Sequence, residues 1–374
     1  MSGPEALAGD PAALAALEAA GPAPFPPDKA TDPGIERDRK AEHIRLALDQ
    51  RMQLGHSFFD DYRFEHEALP EIDLDEIDVS VEFLGRRLAA PLLVSCMTGG
   101  TETAGRINRN LAAGAERTGV AVGVGSQRKA LEDPAKADTF RVREVAPSVP
   151  LLANLGAVQL NYGMGVRECR QAVDMIGADA LVLHLNPLQE AIQPEGQGNF
   201  SGLLPKIGAV AREVGVPVVV KEIGCGISEA TARALAGQGV RIVDTAGVGG
   251  TSWARIEAER AGDLEIGELF AGWGLPTPES IQQVRRAGAG IEGGLTVIAS
   301  GGLRNGLDAA KAIALGADLA GMAYPFLAPA TESPERVADK VRRTVRELKI
   351  CMFCLGVKTI AELQRTKLLK RVVR

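Results

Sequence analysis

Short apolar runs alternate with longer stretches of helical periodicity along most of the chain. The runs are apolar throughout rather than at every second residue, which is typical of parallel strands covered on both faces. They lie at residues 92–95, 120–124, 151–154, 180–184, 218–221, 240–244, 296–300 and 319–322. Helical patterns separate most of them, for example at 106–118, 167–175 and 228–238. About eight strands that each lead into a helix predict a closed (β/α)8 TIM barrel of the α/β class.

The alternative architecture is a doubly wound open sheet. Such sheets usually have fewer strands, and no Rossmann phosphate fingerprint follows the first apolar run. The predicted barrel has an N-terminal helical extension and, from about Pro334, a C-terminal helical region whose basic face we interpret as solvated surface. Residues 1–32 are rich in Ala, Pro and Gly and predict a flexible extension, whereas residues 33–374 predict a single domain.

A long insert interrupts the alternation of strands and helices. It covers residues 247–278, between the sixth and seventh predicted strands. Because connections in compact domains are usually short, long inserts tend to be lids or binding loops. The insert is therefore a candidate for part of a functional site.

Composition narrows the functional class. A formal net charge of -6 argues against a general nucleic-acid binder. No apolar run approaches the ~20 residues of a membrane span, and no basic segment precedes an apolar one at the N-terminus, so neither a membrane protein nor a secreted one is expected.

Five cysteines in a long chain favour a reducing cytoplasm over a disulfide framework. Cys351 and Cys354 have redox-motif spacing, but without a second pair inert thiols are the favoured interpretation.

The densest polar chemistry follows the fourth apolar run. There the chain changes abruptly from Ala180–Leu183 to His184, Asn186, Gln189 and Glu190. Polar groups at the mouth of a buried strand are costly unless they bind something. In a parallel α/β barrel the carboxyl ends of the strands form the active site. This stretch is therefore the leading candidate for catalytic chemistry.

Glu190 is a candidate metal ligand. One carboxylate completed by water and phosphate oxygens is typical of Mg²⁺. A single Glu is a weak signal, but Arg39, Lys40 and Arg128 are available to hold a diphosphate. Together these residues favour a Mg²⁺-bridged diphosphate over a surface charge.

Three glycine clusters follow late strands and indicate a phosphate site. They are Gly301–Arg304 after the seventh strand, Gly321–Tyr324 at the eighth and Gly249–Thr251 after the sixth. Glycines let backbone N–H groups approach an anion, and a following helix N-terminus adds positive potential. One cluster alone would indicate an ordinary tight turn, but three at adjacent strand ends favour phosphate binding.

Lys221 ends an apolar strand and has three interpretations. Beside a flavin, a cation at this position stabilises negative charge on the reduced ring. The lysine could instead form a Schiff base or a structural ion pair with Glu222. Thr98, Ser126 and Asn154, at other strand ends, suit the edge of a heteroaromatic ring, which favours the flavin.

Seven motifs together match one known family. They are Arg39–His43, Met97–Gly100, Gly125–Arg128, His184–Glu190 with Gln193–Gly196, Val220–Glu222, Gly249–Trp253 and Gly301–Arg304. On these motifs the sequence resembles the type 2 isopentenyl diphosphate isomerases, which are FMN-dependent (β/α)8 barrel enzymes. The resemblance covers nearly everything after Arg37. The chain departs from the family at Ala41, where Asp is usual, and at Ala246, where Ser is common.

The resemblance implies an activity and its requirements. Such enzymes interconvert isopentenyl and dimethylallyl diphosphate in isoprenoid biosynthesis by a 1,3-allylic proton shift. Reduced FMN serves as the acid–base cofactor, NADPH as the reductant, and Mg²⁺ bridges to the diphosphate. The family members are typically homo-oligomers, as tetramers or octamers, and no nucleic-acid or membrane partner is implied.

The resemblance also implies residue roles. The implied catalytic residues are His184, Asn186 and Gln189, and Glu190 would bind Mg²⁺. The implied substrate-binding residues are Arg39, Lys40, Ser126, Gln127, Arg128 and Gln189. The implied FMN-binding residues are Cys96, Met97, Thr98, Ser126, Asn154, Lys221, Thr251, Gly302, Leu303, Arg304, Ala323 and Tyr324.

Two other classes compete with an isomerase. An FMN oxidoreductase of the hydroxy-acid oxidase or IMP dehydrogenase type needs a catalytic His or a loop Cys after a late strand. Residues 246–251 and 301–304 supply neither. A non-catalytic flavin-binding protein is the third possibility. Formation of dimethylallyl product without net redox turnover would separate the isomerase from both.

Overall fold

The computed structural model describes residues 39–372, and eight parallel strands in this part of the chain close into a barrel. The predicted extension at residues 1–32 lies outside the described residues. The barrel strands are β4 Leu92–Val94, β5 Ala121–Gly123, β6 Leu151–Gly156, β7 Ala180–Leu185, β8 Val218–Glu222, β9 Ile242–Asp244, β10 Thr296–Ala299 and β11 Leu319–Met322. Each pairs with the next, and β11 pairs with β4. The predicted (β/α)8 barrel is confirmed, and the open-sheet alternative is excluded.

Helices surround the barrel and extend it at both ends of the described chain. They are α1 Arg39–Leu48, α2 Glu102–Thr118, α3 Arg128–Glu132, α4 Val166–Ile176, α5 Pro187–Ile192, α6 Leu203–Glu213, α7 Glu229–Gly237, α8 Trp253–Ala261, α9 Leu264–Leu269, α10 Thr277–Gly288, α11 Gly306–Ala314, α12 Tyr324–Glu332, α13 Pro334–Phe353 and α14 Ile360–Arg365. The long C-terminal helix α13 packs against α2, α11 and α12. None of the helices between residues 39 and 372 is long and apolar enough to cross a membrane.

Side chains alternate between the lumen and the helical layer along each strand. The lumen of the barrel holds residues such as Leu93, Val182 and Val219, which form one apolar cluster. A hairpin of β2 Val81–Phe83 and β3 Arg86–Leu88 joins this cluster and caps the end of the barrel opposite the carboxyl ends of the strands. Strands β1 Tyr62–Phe64 and β12 Leu369–Arg371 form a separate antiparallel pair. The apolar lumen therefore leaves only one end of the barrel for polar side chains.

Strand register gathers polar side chains at that end. His184 of β7 is paired with Lys221 of β8, and Lys221 is paired with Asp244 of β9. All three follow lumen-facing apolar residues by two positions, as Lys221 follows Val219, so all three point inward. The carboxyl ends of neighbouring strands thus bring an imidazole, an ammonium and a carboxylate together without any loop rearrangement.

The predicted insert is helical. It contains α8 and α9 and returns to the barrel through α10. Helix α8 packs against α5 and α1. The insert therefore touches both the helix after the fourth barrel strand and the first helix of the described chain.

Candidate active site

A cavity of about 590 Å³ opens at the carboxyl ends of the barrel strands. Ligand pockets in proteins commonly fall between about 300 and 1,000 Å³. The site residues expected from the sequence that line it are Lys40, Cys96, Met97, Thr98, Ser126, Arg128, Asn154, His184, Asn186, Gln189, Glu190, Lys221, Thr251, Gly302, Leu303, Arg304, Ala323 and Tyr324. Strand ends, α1 and the insert loop thus contribute to one wall.

Two expected substrate-binding residues are not brought to the cavity wall by described contacts. The side chain of Arg39 lies outside the described part of the structure. Gln127 is fully buried behind the wall, where its side-chain amide donates to Ala172 O at 2.8 Å and its Oε1 accepts from Asn154 N–H at 3.0 Å. Because both ends of the Gln127 amide tie helix α4 to strand β6, it supports the wall rather than facing a ligand.

Lys221 pairs with an acid on the next strand. Its Nζ lies 3.3 Å from Asp244 Oδ2 and 3.1 Å from Ser300 Oγ, and Ser300 donates to Asp244 Oδ1 at 2.5 Å. The alternative ion pair with Glu222 is not formed, since neighbouring strand residues point to opposite faces. Glu222 instead accepts backbone N–H bonds from 223 to 225, and burial raises the pKa of its carboxyl to about 7.

His184 is a neutral hydrogen-bonding group. Its Nδ1 lies 2.9 Å from Asn154 Oδ1. Because an amide oxygen only accepts, Nδ1 carries the proton and Nε2 is left as an acceptor. Burial, with the nearby cations Lys40 and Lys221, lowers the pKa of His184 to about 3. The imidazole therefore cannot supply a proton as a cation near neutral pH.

The depressed pKa of His184 predicts a pH-dependent stability. The unfolded chain takes up a proton near pH 6.5, whereas the folded imidazole resists protonation until about pH 3. The free energy of unfolding should therefore fall as the pH drops below 6.5, by up to about 1.4 kcal/mol per pH unit from this group. His184→Gln should flatten that slope in urea titrations between pH 4 and 8. The exposed-site control His66→Gln should keep the wild-type slope, and parallel curves for all three proteins would contradict the assignment.

Helix α5 begins the polar segment after β7. Asn186 precedes the helix and donates through Nδ2 to Gln189 Oε1 at 3.0 Å and to Glu190 Oε1 at 2.8 Å. Glu190 Oε2 also accepts from Gln193 Nε2 and from Gln197 N–H. The carboxylate is thus fixed in place, and a carboxylate has about four lone-pair sites, so it retains acceptor capacity.

Glu257 on the insert helix α8 is a central residue that sequence reasoning missed. It is fully buried, and its Oε1 accepts from Gln189 Nε2 at 2.6 Å and lies 3.0 Å from His43 Nε2. Its Oε2 accepts from Arg260 Nη1 at 2.5 Å. These donors hold the pKa of the Glu257 carboxyl near 2 although burial opposes ionisation. One carboxylate therefore joins Gln189, helix α1 and the insert.

The glycine clusters pack against each other at the far side of the cavity. Gly302 has a φ of +77°, and a Cβ on it would lie 2.4 Å from Gly249 O. Ser57 Oγ donates to Gly302 O at 3.1 Å, and Thr251 Oγ1 donates to Gln53 Oε1 at 3.1 Å. Only glycine allows the backbone of the turn after β10 to approach the insert loop this closely.

Buried polar atoms without a hydrogen-bond partner show whether the cavity suits a flavin. Ser95 Oγ, Thr98 Oγ1 and Asn186 Oδ1 lie in its wall and have no hydrogen-bond partner among the described residues. A buried polar atom without a partner costs about 1–3 kcal/mol. Three such atoms around a cavity fit a ligand with several donors and acceptors, such as the edge of an isoalloxazine ring. The glycine turns fit its phosphate.

A metal would have one protein ligand here. No group of three or more His, Cys, Asp or Glu side chains within residues 39–372 could hold a metal ion. Glu190 stands alone, which suits Mg²⁺ completed by water and phosphate oxygens. The cysteines are all unbonded, and burial raises the pKa of the Cys96 thiol in the cavity wall to about 11.

Comparisons with known proteins define the class. Residues 197–370 match the model of the FMN-dependent dehydrogenase family. Solved structures of a Pediococcus acidilactici lactate oxidase and of a mandelate oxidase share the fold, with TM-scores of 0.62 and 0.60 at 16% and 19% identity. The alignments cover 91% and 89% of this chain and 88% and 92% of those chains. The solved structures share the (β/α)8 barrel fold, and residues 197–370 are similar to the FMN-dependent dehydrogenases.

Sequence relatives narrow that class to one family. An isopentenyl-diphosphate delta-isomerase of Nostoc sp. strain PCC 7120 is 49% identical over 92% of this chain and 99% of its own length. Proteins of that name from Synechococcus sp. and Paracoccus zeaxanthinifaciens are 51% and 50% identical, over 89% and 87% of this chain and 96% and 95% of their own lengths. The chain belongs to the isopentenyl-diphosphate delta-isomerase family.

Proposed function

We propose that this chain interconverts isopentenyl diphosphate and dimethylallyl diphosphate by a 1,3-allylic proton shift, with reduced FMN and Mg²⁺ bound. The observation that carries the proposal is one cavity at the carboxyl ends of the strands, in which the residues expected to contact a flavin ring lie in the same wall as Lys40, Arg128 and Glu190. The names of the relatives at about 50% identity support the same reaction.

The diphosphate binds on the side of the cavity that holds Lys40, Arg128 and Glu190. Arg128 is oriented by Gln197, whose Oε1 accepts from its Nη1 at 3.3 Å. Glu190 is fixed by the neighbouring amides and provides one carboxylate oxygen to Mg²⁺. Two cations and a metal ion then neutralise the diphosphate and hold the five-carbon chain towards the barrel axis.

The residues of the strand ends position the flavin and the alkene. Reduced FMN, when bound, supplies an electron-rich ring with a nitrogen that can give and recover a proton. Lys221 and Asn154 would hold the edge of the ring, and the glycine turn after β10 would hold the phosphate. Gln189, held by Glu257, orients the alkene end, and His184 stays neutral and accepts hydrogen bonds. No ordinary side chain could protonate the alkene in water, so the bound cofactor and substrate must exclude water from the cavity.

The proposal includes the reductant of the flavin, the cellular compartment and the oligomeric state. NADPH serves as the reductant for FMN, and the chain works in the cytoplasm as a homo-oligomer, a tetramer or an octamer, in isoprenoid biosynthesis. The five unpaired thiols are compatible with a reducing compartment. Sedimentation analysis of the purified protein tests the subunit number.

An FMN-dependent oxidoreductase is the second candidate, because the family model that matches residues 197–370 is that of dehydrogenases. Such chemistry requires a base that takes a proton from the substrate. The histidines that line the cavity within the described chain are His43, on α1, and His184, at the end of β7. His43 lies 3.0 Å from the Glu257 carboxylate, and burial lowers its pKa. Neither histidine follows a late strand of the barrel, which is where such an oxidoreductase needs its base.

The decisive experiment is anaerobic incubation of the protein with FMN, NADPH, Mg²⁺ and isopentenyl diphosphate in deuterated water. We expect dimethylallyl diphosphate with deuterium at allylic positions and no stoichiometric consumption of NADPH. Parallel reactions that omit Mg²⁺ or keep FMN oxidised should give no product. Full-speed turnover with oxidised or absent flavin would refute the isomerase proposal, and a product that consumes one NADPH per turnover would favour the oxidoreductase.

Replacing Glu190 tests the metal assignment. Glu190→Gln keeps the size of the side chain but replaces one acceptor oxygen by a donor and removes the charge that Mg²⁺ requires. The Mg²⁺ concentration for half-maximal activity should rise about 10- to 100-fold, as with other changes at metal sites. The remote surface variant Glu213→Gln should behave as the wild type. An unchanged Mg²⁺ titration of Glu190→Gln would place the metal elsewhere.

A further inference from the structure

The glycine turn after β10 lacks an available cation of its own. Arg304 follows the glycines and is the expected partner of a phosphate, but its guanidinium already binds two carboxylates. It donates to Asp308 Oδ2 at 2.8 Å and to Asp60 Oδ1 at 2.6 Å. Its backbone N–H also donates to Asp308 Oδ2, at 3.1 Å. An arginine that two carboxylates neutralise fixes the turn but contributes little net charge to an anion.

Two other cations of the cavity wall are engaged elsewhere. Lys221 is paired with Asp244, and Arg128 contacts Gln197 on the side of Glu190. Helix α12, which starts beside the glycine turn, begins without a side-chain cap because Ala323 precedes it. A phosphate at this end would therefore meet backbone N–H groups but no cation from the barrel strands.

Lys340 reaches this end of the cavity from outside the barrel. It lies on the C-terminal helix α13, and its half-buried side chain lines the cavity with its Nζ 3.5 Å from Arg304 O. No carboxylate of the residues between 39 and 372 lies within the 4.0 Å of an ion pair from this ammonium, whereas the neighbouring Arg342 and Arg343 are paired with Asp339 and Glu347. Lys340 is thus a desolvated cation beside a turn built for an anion.

We propose that Lys340 is a cofactor-binding residue that pairs with the phosphate of FMN. The inference rests on the proposed flavin binding but adds a residue that the strand-end pattern does not contain. An ammonium in a partly desolvated position binds a phosphate more strongly than an exposed one does. Burial lowers the pKa of the Lys340 ammonium, and an adjacent phosphate dianion would offset that effect.

Comparing two flavins isolates the phosphate. FMN and riboflavin share the ring, so the ratio of their dissociation constants measures recognition of the phosphate alone. Full-length protein freed of flavin is titrated with each, and binding is followed by quenching of flavin fluorescence. Lys340→Gln should weaken FMN binding about 10- to 100-fold, the usual loss for a hydrogen bond to a charged group, and leave riboflavin binding within about twofold.

Matched variants control for charge and for folding. Arg346→Gln removes a cation from an exposed position on the same helix and should leave both dissociation constants unchanged. Lys340→Arg keeps the charge and should restore most of the FMN affinity. Unchanged riboflavin binding by Lys340→Gln shows that the cavity remains folded.

Each outcome decides the inference separately from the isomerase proposal. Equal losses of FMN and riboflavin affinity, or no loss of either, would overturn the role of Lys340 and leave the reaction untouched. A selective loss for FMN in a protein that makes no dimethylallyl product would support Lys340 and refute the isomerase. A wild-type protein that does not prefer FMN to riboflavin would overturn the inference.

Discussion

Replacing Glu257 with alanine is expected to lower the free energy of unfolding by about 3–5 kcal/mol and to reduce kcat/KM for isopentenyl diphosphate at least about 100-fold. The carboxylate is fully buried between Gln189, His43 and Arg260. Its removal takes from Arg260 one of three carboxylate partners, and Glu42 and Glu195 remain. Gln189 loses the acceptor that fixes its Nε2. Both the fold and the geometry at the alkene end should therefore suffer.

Two comparisons separate these effects. Glu257→Gln retains an acceptor for Gln189 but not the charge, so it should recover part of kcat/KM while remaining less stable than the wild type. Glu265→Ala, an exposed position on α9, should change neither quantity. Urea unfolding gives the stability, and steady-state kinetics on the folded fraction give kcat/KM. A Glu257→Ala protein with kcat/KM within about threefold of the wild type would show that Gln189 needs no such support.

The pH dependence of this destabilisation has a defined sign. The pKa of the Glu257 carboxyl is about 2 in the folded protein, against 4.5 for an unperturbed glutamate. Its contribution to stability is therefore fully present above pH 4.5 and is lost as the pH falls towards 2. The difference between the wild type and Glu257→Ala should be constant near neutrality and shrink in acid.

The barrel could be predicted because each of its strands is recognisable from a short stretch of the sequence. Parallel strands covered on both faces are continuous apolar runs, and the observed strands begin and end within about two residues of the runs in the sequence. Since the carboxyl ends of such strands face one cavity, polar residues just after the runs, such as His184 and Lys221, could be placed at the site without coordinates.

What could not be predicted depends on contacts between distant segments. Glu257 looks like an ordinary helical acid in the insert, and its role appears only when α8 packs beside α5 and α1. The engagement of Arg304 depends on Asp60, 244 residues earlier in the chain. Gln127 follows a strand like a ligand residue, yet its amide turns towards the backbone of α4 and β6.

The ion pair between Lys221 and Asp244 could have been predicted from the sequence. The pairing of Lys221 with Glu222 conflicts with the alternation of side chains along a strand, which puts adjacent residues on opposite faces. A lumen-facing lysine on one strand is expected to meet a lumen-facing residue on the next. Asp244, at the end of the following apolar run, satisfies that condition, and the register confirms it.

Replacing Lys221 with methionine is expected to lower the midpoint potential of bound FMN by about 60 mV, which corresponds to a roughly 100-fold weaker preference for the reduced flavin. The ammonium is buried in the cavity wall, 3.3 Å from Asp244 Oδ2. Without it, the carboxylate of Asp244, which is 1% exposed, keeps Ser300 as its one side-chain donor among the residues that the structure describes. An anionic reduced flavin would then face an uncompensated negative charge, and isomerase activity should fall with the fraction of reduced enzyme.

The double variant Lys221→Met/Asp244→Asn separates the effect of the Lys221 charge on the flavin potential from its effect on the stability of the fold. It removes both buried charges, so it should recover much of the stability that the single variant loses to an unpaired carboxylate, about 3–5 kcal/mol. Its potential should fall between those of the wild type and the single variant, because the repelling anion is gone but the cation is not restored. Spectroelectrochemical titration measures the three potentials, and urea unfolding measures the stabilities. Three equal potentials would mean that neither Lys221 nor Asp244 affects the flavin through its charge, and the polar end of the barrel would then tune the flavin through hydrogen bonds.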